Sequence, residues 1–199
     1  MLNDLVKYGN FKPTGENQNK KQIILTHTSR NLKDYLQSLK NRYNGKYDKI
    51  PNYIVTRDGK ILQLLENNEY SKYTNDDNVN KRSIVISLEN LGWLEKEPLK
   101  NSHINWIGDI YNGKVFERKW RDYFFWQPYV KNQLKLTAKI CAKIIKETSI
   151  PFKTIEHNTK INGIEKIEGI VTKSNFDSEF TDVSPAFDFE YFIKQLYNE

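Results

Sequence analysis

The chain has 199 residues, a formal net charge of +6 and 38% hydrophobic residues, enough for one packed domain and too few for two. Its 10 Phe, 12 Tyr and 4 Trp argue against disorder, and its one cysteine excludes an internal disulfide and any cysteine-rich zinc knuckle. The charge suits polyanions (nucleic acid, anionic lipid, anionic wall polymer), yet no run of five basic residues occurs, so nucleic acid is not expected as a partner.

The start, Met1 to Lys7, lacks the apolar core of a signal peptide, and no apolar stretch approaches a membrane span. Synthesis in a cytoplasm is expected, with a carrier such as a lysis channel or virus particle for any duty outside. Residues 1–21 are polar and read as a flexible segment preceding a domain over 22–199. Ile23 to Thr28 reads as a buried strand that delivers His27 to its end and stops in small polar residues. Asn31 to Tyr43 reads as a helix with Leu32, Tyr35, Leu36 and Leu39 on one face and Ser29 or Asn31 as cap. Tyr53 to Thr56 and Ile61 to Leu65 form a hairpin about an Asp58-Gly59 turn. Residues 66–81 read as a loop. Ser83 to Glu89 is a strand with Ile84, Ile86 and Leu88 on one face and Ser83, Val85, Ser87 and Glu89 on the other.

Residues 93–127 hold all four tryptophans and read as an irregular, aromatic insertion. Large aromatics usually build core, but a flat ring also stacks on a pyranose; Trp93, Trp106, Trp120 and Trp126 are the candidates. A long helix follows from Pro128 to Thr148, with Leu134, Ala138, Cys141, Ala142 and Ile145 near one stripe, which makes Cys141 a packing residue. Ile167 to Thr172 is a last strand, and residues 187–197 form an amphipathic helix. Alternating strands and helices predict one α/β domain with a central mixed sheet flanked by helices.

In this order, Ile23 to Ser29, Asn52 to Ile61, Arg82 to Asn90 and Thr181 to Phe189 resemble the type 2 N-acetylmuramoyl-L-alanine amidases. That superfamily includes phage lysozyme-type amidases and peptidoglycan recognition proteins. The resemblance implies cleavage of the amide between N-acetylmuramic acid and L-alanine of the stem peptide, by a zinc ion held by two histidines and a cysteine or aspartate. Zinc would lower the pKa of its bound water to about 7 and polarise the carbonyl. His27 matches the first ligand and Asp182 the last. Lys173 stands where the second histidine should be, and a protonated lysine repels zinc. Either His157 folds back from the preceding loop to complete a His27, His157, Asp182 set, or no zinc binds. Glu89 is the candidate general base, and Lys173, if it points inward, could replace the metal's charge or steady an anion.

The implied substrate contacts are Asn52, Ser87, Trp93 and Trp126. Read alone, His27 would be an ordinary hydrogen-bonded histidine, Asp182 a helix cap or turn residue, His157 a loop residue making ordinary hydrogen bonds, His103 a surface residue, Glu89 a partner for a lysine and Lys173 a solvated cation. The expected partner is peptidoglycan glycopeptide, with virion or lysis-system proteins as possible associates. The rival expectation is a cell-wall-binding or structural module on the same fold, such as a phage tail component.

Overall fold

A computed structural model describes residues 4–199. In chain order its first elements are β1 (Leu5–Lys7), β2 (Gly15–Glu16), β3 (Gln22–His27), α1 (Leu32–Asn41), β4 (Tyr53–Val55), β5 (Ile61–Gln63), β6 (Glu69–Tyr70), α2 (Asp77–Arg82) and β7 (Ser83–Leu88). Then come β8 (Trp93–Lys96), β9 (His103–Ile104), β10 (Ile110–Tyr111), β11 (Phe116–Trp120), β12 (Tyr123–Trp126), α3 (Lys131–Glu147), β13 (Gly169–Thr172) and α4 (Phe189–Tyr197).

The central sheet has the order β1-β5-β4-β7-β3-β13. β3 runs parallel to both β7 and β13, β4 runs parallel to β7, and the β4–β5 hairpin supplies the antiparallel pair. The sheet is therefore mixed, as the sequence predicts. Every residue of β3 and of β7 is buried, because helices or loops cover both faces. On one face Ile23, Leu25, Ile84, Ile86 and Leu88 pack against Leu134, Ala138 and Cys141 of α3 and Phe192 of α4. On the other, Ile54 and Leu62 meet Tyr35 and Leu39 of α1, while Ile24, Val85 and Val171 meet Tyr73 and Val79. Each fully buried Ile or Leu contributes about 1.5–3 kcal/mol, so the two-sided run of β3 anchors the fold.

The Asn31 side chain accepts from Asp34 N and caps α1. Gly59, at φ +91, makes the hairpin turn that the Asp-Gly pair predicts. Other elements differ from the sequence reading. Residues 1–21 contribute β1, paired with β5, and β2, paired with β6, so part of that polar stretch is sheet. The 66–81 loop contains β6 and, from Asp77, α2, whose cap is the Asp76 carboxylate accepting from Asn78 N and Val79 N. α3 starts at Lys131 with Val130 as its cap, so Pro128 lies just outside it. The aromatic stretch is ordered as a second, five-stranded sheet, β10-β9-β8-β12-β11, with its hydrogen-bonded pairs antiparallel. Among the described residues, no helix is long and apolar enough to cross a membrane.

Candidate active site

Parallel strands present their C-terminal ends on the same edge of a sheet, where ligand sites collect. β3 ends in His27, and its neighbour β13 ends in Thr172, directly before Lys173. A short 3-10 turn over Lys173–Asn175, boxed by the Thr172 hydroxyl and the Asn175 side chain, turns the chain back toward Asp182. The Asp182 carbonyl accepts from Ser174 N at 2.6 Å, which clamps this return. His27 thus shares a cleft of about 160 Å³ with Lys173 and Asp182, well over a hundred positions downstream.

The Lys173 ammonium lies 3.7 Å from Asp182 Oδ2, with Tyr73 and Phe180 rings beneath it at 5.4 and 4.5 Å. The Thr26 hydroxyl donates to the same carboxylate oxygen, and Tyr73 OH donates to Thr26 Oγ1 at 3.4 Å. Burial alone would push the Asp182 carboxyl up; Lys173, with His27 and Thr26, more than offsets it and holds the group below its ordinary value. His27 is only 4% exposed, and burial lowers its imidazole to about 4, so the ring is neutral at neutral pH. Its Nδ1 lies 2.9 Å from the Tyr129 hydroxyl. That hydroxyl accepts from Ser184 N at 3.4 Å, and burial raises the phenol's pKa, so its own proton is free to go to Nδ1. This arrangement assigns the imidazole proton to Nε2, which is buried and has no partner. Nε2 faces Gly92: a Cβ there, on a backbone at φ +79, would lie 2.9 Å from it.

These residues do not fit a zinc centre. One imidazole nitrogen is taken by Tyr129, the other is shut against Gly92, and the carboxylate is paired with an ammonium. Among the described residues, no group of three His, Cys, Asp or Glu side chains is placed to hold a metal. His157 is not brought to His27 and Asp182. It is exposed, outside the cleft lining, and its Nδ1 accepts from Thr159 N at 3.2 Å.

The other candidates are placed as follows. Glu89 Oε1 accepts from Leu32 N at 3.2 Å and Oε2 from Arg57 N at 2.9 Å, so this carboxylate ties the start of α1 to the hairpin and does not line the cleft. Asn52 is buried and donates to the carbonyls of Glu66 and Glu69 while accepting from Val85 N, which braces the sheet. Ser87 is wholly buried beside Thr26 in the β3–β7 register and does not line the cleft. Trp126 is fully buried and its indole donates to Arg118 O, so no ligand reaches it; Trp93 is stacked on Tyr123 at 4.4 Å. The tryptophan in the cleft is Trp106, 47% exposed, with its indole N–H on Ser29 O and the Arg30 guanidinium 4.6 Å from its ring. Sequence reasoning missed Tyr129, Tyr73, Arg30, Arg42 and Lys49. Their one signal is composition, and nothing in the spacing marks Tyr129, 102 positions from His27.

A family model described as N-acetylmuramoyl-L-alanine amidase matches residues 16–167, which include His27 and stop short of Lys173 and Asp182. No curated protein sequence matches the chain. Among solved structures, the amidase LysC from Clostridium intestinale URNW is similar with a TM-score of 0.56 and 13% identity, over 97% of each chain. An AmpD derivative is similar with a TM-score of 0.57 and 13% identity, over 98% of this chain and 96% of that one. AmiD from E. coli, solved with the substrate anhydro-N-acetylmuramic acid-L-Ala-D-gamma-Glu-L-Lys, gives a TM-score of 0.53 and 17% identity, over 92% of this chain and 60% of that one. At such identities the structural likeness speaks for the fold.

Proposed function

Because this chain belongs to the N-acetylmuramoyl-L-alanine amidase family, we propose that it acts on peptidoglycan as a binding member, gripping the glycopeptide at the strand-end cleft without a metal. The observation that carries this reading is the Lys173–Asp182 pair at 3.7 Å. An internal cation stands beside the carboxylate that a metal would need, and it supplies a fixed positive charge without a Lewis acid. The cleft is also lined by Ser29, Arg30, Ser38, Arg42 and Lys49, hydrogen-bonding groups suited to a sugar hydroxyl or a peptide carboxylate. Zinc-dependent cleavage of the N-acetylmuramic acid–L-alanine amide is the second reading. It is favoured by His27 and Asp182 lying in one cleft, and it requires a third ligand other than exposed His157.

One preparation tests both. The protein is dialysed against a small molar excess of zinc and then against zinc-free buffer, analysed for metal, and mixed with insoluble peptidoglycan. The binding reading expects well under one zinc per chain, co-sedimentation with the wall and no release of soluble fragments. About one zinc per chain, lost in His27→Ala and accompanied by wall solubilisation, would overturn it in favour of the hydrolase.

A further inference from the structure

A row of cations lines one side of this chain. Around α1 runs a continuous set of grooves: the cleft shares Arg30 and Arg42 with one neighbouring groove and Tyr47 with another, and that second groove shares Lys40 with a third. Setting aside the Lys173–Asp182 pair, these grooves are lined by Lys12, Arg30, Lys33, Lys40, Arg42 and Lys49. Only one further carboxylate, Asp34, lies among them. These grooves thus carry six cations against one carboxylate, a local excess of five positive charges. Among the described residues, none of the six makes an ion pair, whereas Lys7, Lys60, Lys100 and Lys143 all do. Like charges gathered without partners repel one another, and a bound polyanion relieves that repulsion.

We propose that this face is a track for a linear phosphodiester polymer of the teichoic acid type, a polyol phosphate carried by the same wall as peptidoglycan. Single-stranded nucleic acid has the same charge chemistry but draws further affinity from open ring faces for its bases. Here each ring has a cation over one face: Arg30 over Trp106 at 4.6 Å, Arg42 over Tyr43 and Tyr47 at 5.4 and 4.8 Å, and Lys40 over Tyr8 at 5.4 Å. The face therefore offers charge foremost, with one face of each of these rings already taken by a cation. A polymer that carries phosphate but no bases loses nothing by this. The choice of a wall polymer rests on the peptidoglycan reading above; the charged track itself does not.

The test is calorimetric titration of the full chain with purified poly(glycerol phosphate) at 50, 100 and 200 mM NaCl, beside single-stranded DNA of equal phosphate count. With six cations engaged and a coefficient of about 0.7 per phosphate, the log–log salt slope should be about −4. The triple variant Lys12→Gln/Lys33→Gln/Lys40→Gln removes only cations outside the cleft. It should bind the polymer at least tenfold more weakly at 50 mM, with a slope of about −2. DNA should bind at least tenfold more weakly than the polymer. Absent polymer binding, an unchanged triple variant, or DNA binding as tight as the polymer's would each overturn the proposal, the last in favour of nucleic acid. Co-sedimentation with acid-stripped peptidoglycan, free of teichoic acid, is read separately. If polymer binding holds while stripped wall is not bound, the peptidoglycan reading falls and the track stands.

Discussion

Replacing Lys173 with methionine keeps most of the side chain's contact with Tyr73 and Phe180 but strands the Asp182 carboxylate, which is 6% exposed. At 3.7 Å the pair's Coulomb attraction is about 4 kcal/mol at an effective dielectric constant of 20. Removing one member of a buried pair costs about 3–5 kcal/mol in comparable cases. The Thr26 hydroxyl still donates to the carboxylate, so a loss of about 3 kcal/mol at pH 7 is expected. For a chain of this size that lowers Tm by about 6–12 °C. The sign of the pH dependence follows from Asp182. In the wild type its folded pKa lies below the unfolded one, so its contribution is present above the unfolded value and is lost as pH falls through the folded value. In Lys173→Met burial dominates and raises the carboxyl, so the variant's penalty is relieved on acidification. The gap between the two proteins in urea unfolding, followed by tryptophan fluorescence, should therefore shrink as pH drops from 7 toward 4. A gap below about 1 kcal/mol at pH 7, or one independent of pH, would refute the claim that Lys173 holds this carboxylate ionised.

Two further outcomes follow from a lysine at the opposite end of β3 and a glycine beside His27. Lys20 is 1% exposed and donates to the carbonyls of Glu69, Lys81 and Ser83, each at 3.1 Å, while burial lowers its ammonium from 10.5 to about 8. The unfolded chain thus binds the proton more tightly, so wild-type stability relative to Lys20→Met should rise between about pH 8 and 10.5, by up to about 3 kcal/mol; a flat difference in urea midpoints across that window would count against it. Gly92→Ala puts a methyl 2.9 Å from His27 Nε2 on a backbone at φ +79, and should cost about 1–3 kcal/mol by urea unfolding; a neutral effect would mean that the ring does not sit against this glycine.

Much of the central sheet was legible because its strands advertise themselves. Ile23-Ile24-Leu25 and Ile84-Val85-Ile86 are β-branched or aliphatic runs, and the Asp58-Gly59 pair fixes a hairpin. The second sheet was not. β9 and β10 have two residues each, too few to show a period, and β11 is almost wholly exposed, so no alternation of apolar and polar residues marks it. At the site, the order of segments brought out His27, Lys173 and Asp182, which the structure does gather in one cleft. Glu89 illustrates the limit. An acidic residue at a strand end reads equally as a base or as an acceptor for backbone N–H groups, and only the positions of Leu32 N and Arg57 N decide it. The tryptophans teach the same lesson: residue type suggests stacking, but burial removes Trp126 and leaves Trp106.

The pairing of β13 with β3 also sets a timetable for synthesis. Gly169 lies opposite Gln22, roughly 150 residues upstream. At ribosomal rates of about 5–20 residues per second, Ile23-Ile24-Leu25 emerges on the order of ten seconds before its outer neighbour exists. β7 can cover one side of β3 sooner, but the other side remains an open apolar edge through that interval. The nascent chain is thus most prone to stray strand pairing before residue 172 is made, and slowing translation of the codons between β7 and β13 should increase aggregation more than slowing those that precede β3.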